Sequence, residues 1–383
     1  MTAPTSPFAN VPHLRWGILG TGNIAGKFAT EVAAVADRAT LQAVGSRQPE
    51  KSAEFAKKHG IATAHVGYQE VLDDPAVDAV YISLLNHQHA RWSIAAARAG
   101  KHILCEKPAT MTARELVEVL DEVRKANVFY MEAYAYRHHP RYAALRKQLA
   151  DGLIGDIRLM HGTFSIDGTT LDRPRLYTLE HGGGGLMDVG CYPVSWMRWI
   201  ARAEPAHIKA TGTKGSSGVD EWAAGSLRFP AGATGSFLTG VRCAVPTTAA
   251  IYGETGSIEI DQPWRCSPGS AIVLQRPNKG PVQLDHVADG LGQYSREALA
   301  VAKWRDARES ADCTWADSLA GMRVLDELRH QVGVWWPGEA AQGVLAKNAE
   351  AKGADKAEKK DAAKPDDKPA VKTAPEDSGI LEL

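Results

Sequence analysis

The stretch GILGTGNIAG, residues 17–26, decides the fold class, because it joins an apolar strand to a helix through a glycine turn. The spacing Gly20-x-Gly22-x-x-Ala25 matches the dinucleotide-binding fingerprint, with alanine in the third position. Gly20 allows the tight turn, and Gly22 lets the backbone approach a pyrophosphate at the helix N-terminus. The alternative is a plain tight turn. The pattern predicts nucleotide contacts at Gly20, Thr21, Gly22, Asn23 and Ile24.

Strands and helices alternate from this turn to residue 136. VDAVYISLL (77–85) is rich in β-branched and aromatic residues, which predicts a strand. TARELVEVLDEVRKAN (112–127) predicts a helix, with Thr112 as N-cap and Glu115 at the spacing of a capping box. Such alternation favours a parallel sheet with helices on both faces. We therefore predict a flexible arm at 1–13 and an α/β Rossmann domain at 14–136.

The pattern changes after residue 137. A helix leads to one strand, and a run of strands with turn residues between them follows from 206 to 276, typical of an antiparallel sheet. Residues 137–338 are thus predicted to form an α+β domain with a large, mostly antiparallel open sheet. From 339 to 383 the chain has no aromatic residue and many Ala, Lys, Asp and Glu, which predicts a disordered charged tail.

Composition excludes several classes of protein. The formal net charge is −1, so no global basic field would attract nucleic acid or an anionic membrane. The five cysteines are odd in number and contain no CxxC, which argues against a disulfide framework and a structural zinc site. The N-terminal residues lack the pattern of a signal peptide, and no apolar run is long enough to span a bilayer. We expect a cytoplasmic protein.

The end of the second predicted strand addresses the choice of nucleotide. NAD-binding chains usually place Asp or Glu there to hold the ribose 2′-hydroxyl. Here Ser46 and Arg47 take that place, and Lys51 follows one turn later. A hydroxyl and two cations would attract a 2′-phosphate, so the sequence predicts NADP over NAD. The alternative is that both cations are solvated surface charges and either nucleotide is accepted.

A lysine follows another predicted strand, in ILCEKPAT (103–110). Ligands of open parallel sheets bind beyond the carboxyl ends of the strands, where Lys107 would lie. Pro108 restricts the backbone of the lysine, and Glu106 could orient the ammonium or meet a nicotinamide ribose. The alternative is a surface lysine beside a turn.

Four stretches together resemble the Gfo/Idh/MocA oxidoreductase family, over residues 14 to about 334. They are GILGTGNIA (17–25), NHQHARWSIAAARAGKHILCEKP (86–108), MEAYAYRHHP (131–140) and GGGGLMDVGCYPV (182–194). The branch that it resembles contains dimeric dihydrodiol dehydrogenase, glucose–fructose oxidoreductase and NADP-dependent D-xylose dehydrogenase. Cys191 departs from the aliphatic residue common beside the tyrosine, and RPRLYTLEH (173–181) lacks a tryptophan that many members have.

The resemblance implies site residues by position. Lys107 would contact nicotinamide ribose and substrate hydroxyl, Tyr192 would be its catalytic partner, and Asp188 would orient them or bind a second hydroxyl. The remaining cofactor contacts that it implies are Leu84, Asn86, His89, Glu106 and Arg175. It also implies a homodimer or homotetramer through the C-terminal sheet.

The chemistry of these residues suits alcohol oxidation. Tyrosine has an ordinary pKa near 10, and a neighbouring ammonium would lower it toward neutral pH. We predict an NADP-dependent oxidoreductase that transfers hydride from a sugar, such as an aldopyranose, or a cyclic polyol. One alternative is an aldose oxidoreductase with tightly bound, non-exchanging NADP; another is a non-catalytic nucleotide sensor. We expect no metal, and we expect the run Gly182–Gly185 to let backbone approach cofactor or substrate.

Overall fold

The N-terminal sheet is parallel throughout. The computed structural model describes residue 8 and residues 10–168, 173–267, 269–284 and 289–339. The sheet comprises β1 (Leu14–Leu19), β2 (Ala39–Ser46), β3 (Thr63–Val66), β4 (Ala79–Ile82), β5 (His102–Glu106) and β6 (Tyr130–Ala133). The strand order is β3-β2-β1-β4-β5-β6. The direction of winding reverses between β1 and β4, and open parallel sheets bind ligands beyond the strand ends at such a point.

Helices connect these strands in sequence. They are α1 (Asn23–Ala33), α2 (Pro49–His59), α3 (Gln69–Asp73), α4 (Asn86–Arg98) and α5 (Ala113–Ala126). Thr112 is the N-cap of α5 as predicted, and its hydroxyl accepts from the Glu115 N–H at 3.2 Å; the Glu115 carboxylate accepts at 3.0 Å from the N–H of Met111, one residue before the N-cap. The prediction of a Rossmann domain is confirmed. β3 and α3 carry no clear signal in the sequence, because four and five residues are too few to show a period.

The second sheet has eight strands among the described residues. They are β7 (Ile157–Ser165), β8 (His207–Lys214), β9 (Asp220–Arg228), β10 (Thr234–Gly240), β11 (Thr248–Gly253), β12 (Ser257–Asp261), β13 (Ile272–Gln275) and β14 (Val282–Gln283). Their order is β14-β13-β12-β11-β7-β10-β9-β8. The pair β7–β10 is parallel and the other neighbours are antiparallel, so the predicted mostly antiparallel sheet is confirmed.

Four further α-helices accompany this sheet in the described part of the chain: α6 (Pro140–Ala150), α7 (Cys191–Ala201), α8 (Gln293–Trp304) and α9 (Trp315–Val332). A π-helical turn, Leu186–Gly190, leads directly into α7. Residues 186–201 are therefore helical throughout, but the first turn is wider than that of an α-helix. Single π-turns of this kind are frequent at functional sites.

An aromatic cluster supports the start of the nucleotide fold. Phe28 of α1 stacks on Tyr81 of β4 at 4.0 Å between ring centroids, and the edge of Trp16 of β1 meets Phe28 at 5.3 Å. All three side chains are buried, so the first strand, first helix and fourth strand share one core. No helix among the described residues is long and apolar enough to cross a membrane. Most of the predicted arm and the tail from residue 340 lie outside the described residues.

Candidate active site

The glycine turn after β1 has the geometry of an anion-binding loop. Gly20 has φ +105°, a conformation that L side chains rarely adopt, and its backbone lies close to Leu84 and Ser83. Gly22 is the N-cap of α1, and a Cβ added there would meet no atom within 4 Å. Protein packing therefore does not require glycine at this position, whereas a ligand approaching the helix N-terminus would.

The predicted neighbours of Gly22 line the same open turn. Thr21 is half-buried, Asn23 is exposed, and Ile24 keeps 37% of its surface exposed. The first intrahelical bond of α1 runs from the Gly26 N–H to the Gly22 carbonyl at 3.1 Å, so the N–H groups before it point out of the helix. These residues fit a dinucleotide pyrophosphate.

The end of β2 presents cations to solvent. Ser46 is buried, and its hydroxyl accepts from the Gln48 N–H at 3.2 Å. Arg47 and Lys51 are both exposed. The Ser46 contact shapes the turn from which Arg47 projects. Arg47 is also near enough to His87 on α4 to lower the pKa of that histidine, after the larger effects of burial and of His181.

The lysine after β5 lies in a loop that is held from two sides. The peptide bond between Lys107 and Pro108 is cis. One His89 ring nitrogen lies 2.8 Å from the Pro108 carbonyl, and the other lies 3.1 Å from the Leu84 carbonyl. The Ala109 N–H donates to the Glu132 carboxylate at 2.9 Å. His89 is thus a support beneath the loop: it is fully buried, and burial lowers its pKa to about 4.

Glu106 faces the core of the Rossmann sheet. Its carboxylate accepts from the Tyr81 hydroxyl at 2.5 Å and from the Lys107 N–H at 3.3 Å. Burial raises the pKa of Glu106, against the attraction of the Lys107 ammonium. Through Tyr81, the acid joins the strand end to the aromatic cluster formed with Trp16 and Phe28.

The lysine meets the π-turn of the second half of the site. The Lys107 ammonium donates to the Asp188 carbonyl at 2.8 Å and lies 3.9 Å from Oδ1 of the same residue. Arg175 donates to that Oδ1 at 2.6 Å. Burial opposes ionisation of Asp188, yet Lys107 and Arg175 together hold the pKa of its carboxyl below the ordinary value. The arrangement is an ionised carboxylate between two cations.

Tyr192 lies one helical turn after Asp188, and it is half-buried. The Lys107 nitrogen lies 5.2 Å from the centroid of its ring. Burial, and then the negative charge of Glu106, raise the pKa of Tyr192 well above its ordinary value. The expected lowering by Lys107 is therefore wrong for this conformation, because the ammonium lies over the ring and donates to the Asp188 carbonyl. Tyr192 keeps its proton at neutral pH.

Asn86 connects the two halves of the site. It is the first residue of α4, and its side-chain amide donates to the Gly182 carbonyl at 2.8 Å. Next to it, the His87 ring stacks on His181 at 4.9 Å between centroids. The start of α4 is thus tied to the segment that precedes the glycine run. Among the described residues no group of three or more His, Cys, Asp or Glu side chains is arranged to hold a metal ion.

Two domain families match this chain. An oxidoreductase family with an NAD-binding Rossmann fold matches residues 14–134, and the GFO/IDH/MocA C-terminal domain matches residues 142–259. The chain belongs to the Gfo/Idh/MocA oxidoreductase family. The resemblance inferred from the four sequence stretches is confirmed, and so is the prediction of an oxidoreductase.

Vertebrate members of the family are similar over nearly their whole length. Trans-1,2-dihydrobenzene-1,2-diol dehydrogenase from Mus musculus is 32% identical over 331 residues, which cover 85% of this chain and 98% of the relative. The Homo sapiens protein of the same name is 32% identical over 333 residues, with 85% and 98% coverage. The matched core of both relatives therefore extends across the two sheets.

Solved structures share the fold. Aldose-aldose oxidoreductase from Caulobacter crescentus superposes with a TM-score of 0.75 at 25% identity, over 83% of this chain and 97% of that protein. The 3-ketoreductase KijD10 from Actinomadura kijaniata, solved with NADP and TDP-benzene, gives 0.75 at 24% identity over 84% and 98%. Levoglucosan dehydrogenase, solved with NADH and levoglucosan, gives 0.75 at 24% identity over 84% and 97%.

The second glycine run is closely packed by protein atoms. A Cβ on Gly182 would lie 2.5 Å from the Met111 sulfur, and one on Gly183 would lie 2.6 Å from the Leu176 carbonyl oxygen. Cβ atoms on Gly184 and Gly185 would meet the Asp220 carboxylate at 2.2 and 3.1 Å. Close protein packing explains all four glycines, so the approach of cofactor or substrate is not needed to account for them.

Two of the buried acids that were not predicted from the sequence hold segments that carry site residues. Glu132 interrupts the apolar strand β6, and a charge within an apolar strand was a usable signal. Asp220 opens β9, and nothing in the local sequence distinguishes it from a turn residue. Both acids bind backbone N–H groups of segments that carry site residues.

Proposed function

We propose that this chain is an NADP-dependent oxidoreductase that transfers hydride between the nicotinamide and a hydroxyl-bearing carbon of a sugar or cyclic polyol. The observation that carries the proposal is the convergence of Lys107, Asp188 and Tyr192 at the carboxyl end of β5. A nucleotide sensor on the same scaffold would have no use for a lysine and a tyrosine held together.

The residues divide the work of proton transfer. NADP, when bound, would exchange hydride with the reacting carbon, and the protein would position it and handle the proton. Protonated Tyr192 is suited to donate to a carbonyl oxygen in the reducing direction. In the oxidising direction, Tyr192 would first release its own proton to solvent, and the hydroxyl proton would then pass to the phenolate oxygen. That step requires the Lys107 ammonium to move from the Asp188 carbonyl toward the phenol, where its charge would favour the phenolate.

The nucleotide preference rests on side chains rather than on the fold. KijD10 was solved with NADP and levoglucosan dehydrogenase with NADH, although both superpose equally well. In this chain Ser46, Arg47 and Lys51 stand where an acid would hold the 2′-hydroxyl of NAD. We therefore expect Arg47→Ala to raise the dissociation constant for NADP at least tenfold and to change that for NAD by less than twofold. Equal losses for both nucleotides would contradict the assignment.

The names of the similar proteins and the charged side of the site support the proposed substrate class. The dihydrodiol dehydrogenases act, by their name, on a ring with two adjacent hydroxyls, and the Caulobacter protein on aldoses. Asp188, held by Arg175, would accept a hydrogen bond from a second ring hydroxyl. The Caulobacter protein also motivates the alternative that NADP stays bound while one sugar is oxidised and another reduced.

The open face of the second sheet supports a homodimer or homotetramer. Leu159 and Tyr252 are cross-strand partners, and Leu238 and Trp222 share their face through the registers of β10 and β9. All four keep between 39% and 53% of their surface exposed. Adjacent exposed apolar side chains on a sheet face mark an association surface. We expect the pair of changes Leu159→Glu and Tyr252→Glu to lower the mass measured by light scattering to that of one chain; an unchanged mass would contradict this surface.

The decisive experiment is a rate measurement. Initial rates of nicotinamide reduction would be followed with NADP, and separately with NAD, across aldopyranoses and trans-cyclic diols. We expect a rate with NADP on one of these classes and a loss of at least about 100-fold in Lys107→Met, the scale of general acid–base catalysis. Nucleotide released by denaturing fresh protein, together with sugar–sugar exchange, would indicate the bound-NADP alternative. Full activity in Lys107→Met would contradict the proposed site.

A further inference from the structure

The helix that carries Asp188 and Tyr192 starts against a buried acid. The Leu186 N–H, at the first residue of the π-turn, donates to Oδ2 of Asp220 at 2.7 Å. Asp220 is the first residue of β9 and only 1% exposed. A carboxylate at this point satisfies a backbone donor that the helix leaves free and interacts favourably with the helix dipole.

The second glycine run makes room for this contact. The space that a Cβ on Gly184 would occupy lies 2.2 Å from Oδ1 of Asp220, and that of Gly185 lies 3.1 Å from Oδ2. On the neighbouring strand, the Thr239 hydroxyl donates to the Gly185 carbonyl at 3.1 Å. Strands β9 and β10 thus bind the N–H and the carbonyl of one peptide unit, Gly185–Leu186, at which the helix begins.

Burying the Asp220 carboxyl costs free energy, so its presence calls for a reason beyond packing. Its Oδ1 has no hydrogen-bond partner among the described residues. Buried polar atoms without partners are rare in native proteins, and each calls for a reason. Burial also raises the pKa of Asp220 to about 7, against the backbone N–H groups that it accepts from. An apolar residue would avoid both costs, but it would not bind the Leu186 N–H.

We propose that Asp220 is a positioning residue that fixes the start of the π-turn and thereby places the Asp188 carbonyl and Tyr192 against Lys107. Asp188 lies two residues after Leu186, and its carbonyl holds the Lys107 ammonium at 2.8 Å. Tyr192 follows four residues later on the same continuous helix. The inference rests on the proposed function for its catalytic consequence, but the placement can be measured without substrate.

The test compares Asp220→Ala and Asp220→Asn with Glu221→Gln in the full-length chain. Glu221 is the next residue of β9, and its carboxylate pairs with Arg242 away from the helix. Hydrogen exchange followed by mass spectrometry would report on the amides of residues 186–192 in the absence of ligand. The NADP dissociation constant, kcat and KM would then be measured on the best substrate of the panel.

We expect Asp220→Ala to speed exchange in residues 186–192 at least tenfold and to lower kcat at least tenfold, with the NADP dissociation constant within twofold. Asp220→Asn keeps one acceptor for the Leu186 N–H, so it should recover part of both losses and remain testable if the alanine variant does not fold. Glu221→Gln should match the wild type.

A stability measurement separates positioning from a general structural role. Because the pKa of Asp220 is raised from 3.8 to about 7, the unfolded state releases this proton at lower pH than the folded state does, so the free energy of unfolding falls as the pH rises from about 4 to about 7 and is level above that. The difference in melting temperature, Asp220→Asn minus wild type, should therefore rise from pH 5 to pH 8, while the kcat of the variant stays below that of wild type.

Unchanged exchange in Asp220→Ala and Asp220→Asn, or wild-type kcat with faster exchange, would overturn the proposal. If the wild type oxidised nothing in the panel, the proposed function would fail by itself. Exchange in residues 186–192 would still decide whether Asp220 fixes the helix.

Discussion

The turn at residues 20–22 and the turn at residues 182–185 are both rich in glycine, and each precedes a helix that carries site residues. A Cβ on Gly22 would meet no atom within 4 Å, whereas one on Gly183 would lie 2.6 to 2.8 Å from three backbone atoms of residues 175 and 176. The first turn leaves space that a ligand can fill, and the second has its space filled by the protein. Glycine content by itself does not distinguish the two cases.

The largest effect should come from the residue that the second turn helps to place. Tyr192→Phe removes the proposed proton-transfer group and should lower kcat about 10²- to 10⁴-fold, since that is the usual worth of such a group. Steady-state kinetics would measure it, with Tyr68→Phe as a matched loss of one hydroxyl beside Trp92, in the Rossmann domain. A kcat within threefold of wild type would remove Tyr192 from the mechanism.

The second turn itself should be sensitive to a single methyl group. Gly183→Ala forces a Cβ against the carbonyl oxygens of Arg175 and Leu176, at 2.7 and 2.6 Å. We expect a loss of about 3 kcal/mol in the free energy of unfolding, the upper range for overpacking. Urea denaturation would measure it. A stability equal to wild type would mean that this turn has room after all, and the comparison with Gly22 would fail.

A pH dependence of stability should follow from Glu132, whose carboxylate accepts from the Ala109 N–H in the loop after Lys107. Burial raises the pKa of Glu132 to about 7, so the folded state binds a proton that the unfolded state releases near pH 4.5. The free energy of unfolding should therefore fall as pH rises from about 4.5 to about 7, by about 3 kcal/mol from this group.

Glu132→Gln keeps an acceptor for the Ala109 N–H and should flatten that part of the curve. Denaturation at pH 5 and pH 8 would compare the variant with wild type. Asp220, with its pKa also raised to about 7, contributes a second loss of the same sign and should leave some slope in the variant. An unchanged slope in Glu132→Gln would show that Glu132 ionises as an ordinary carboxyl.

The smallest effect is expected at the first turn, and it should appear in binding rather than stability. Gly22→Ala introduces no clash, so the free energy of unfolding should change by at most about 0.5 kcal/mol. NADP affinity should fall about tenfold, or about 1.4 kcal/mol, because the methyl group would occupy ligand space. Calorimetric titration would measure it. Unchanged affinity, or a stability loss like that of Gly183→Ala, would erase the contrast between the turns.

The local sequence predicted the Rossmann half well, because each element there has its own signal. The N-cap at Thr112, the glycine that ends α2 and the turn at Gly20 are all decided within a few residues. The position of Lys107 at a strand end followed from the same local reading. The roles of Tyr192, Asp188 and Arg175 came from a family resemblance, since no local pattern assigns them.

The tertiary structure added the contacts that site residues make with partners distant in sequence. Arg175 donates to Asp188, Asn86 donates to the Gly182 carbonyl, and a ring nitrogen of His89 lies against the Pro108 carbonyl, while the cofactor contacts predicted for these three residues stay predictions. The pKa of Tyr192 is raised by burial and then by the charge of Glu106, neither of which a sequence pattern specifies.

The sequence by itself determined the order of most elements and the open nucleotide turn, because periodicity, caps and glycine turns act over short distances. Only the tertiary structure decided why residues 182–185 are glycines and why Asp220 and Glu132 are buried. Those answers depend on atoms that come together from segments dozens of residues apart, and close packing and burial have no local signature in the chain.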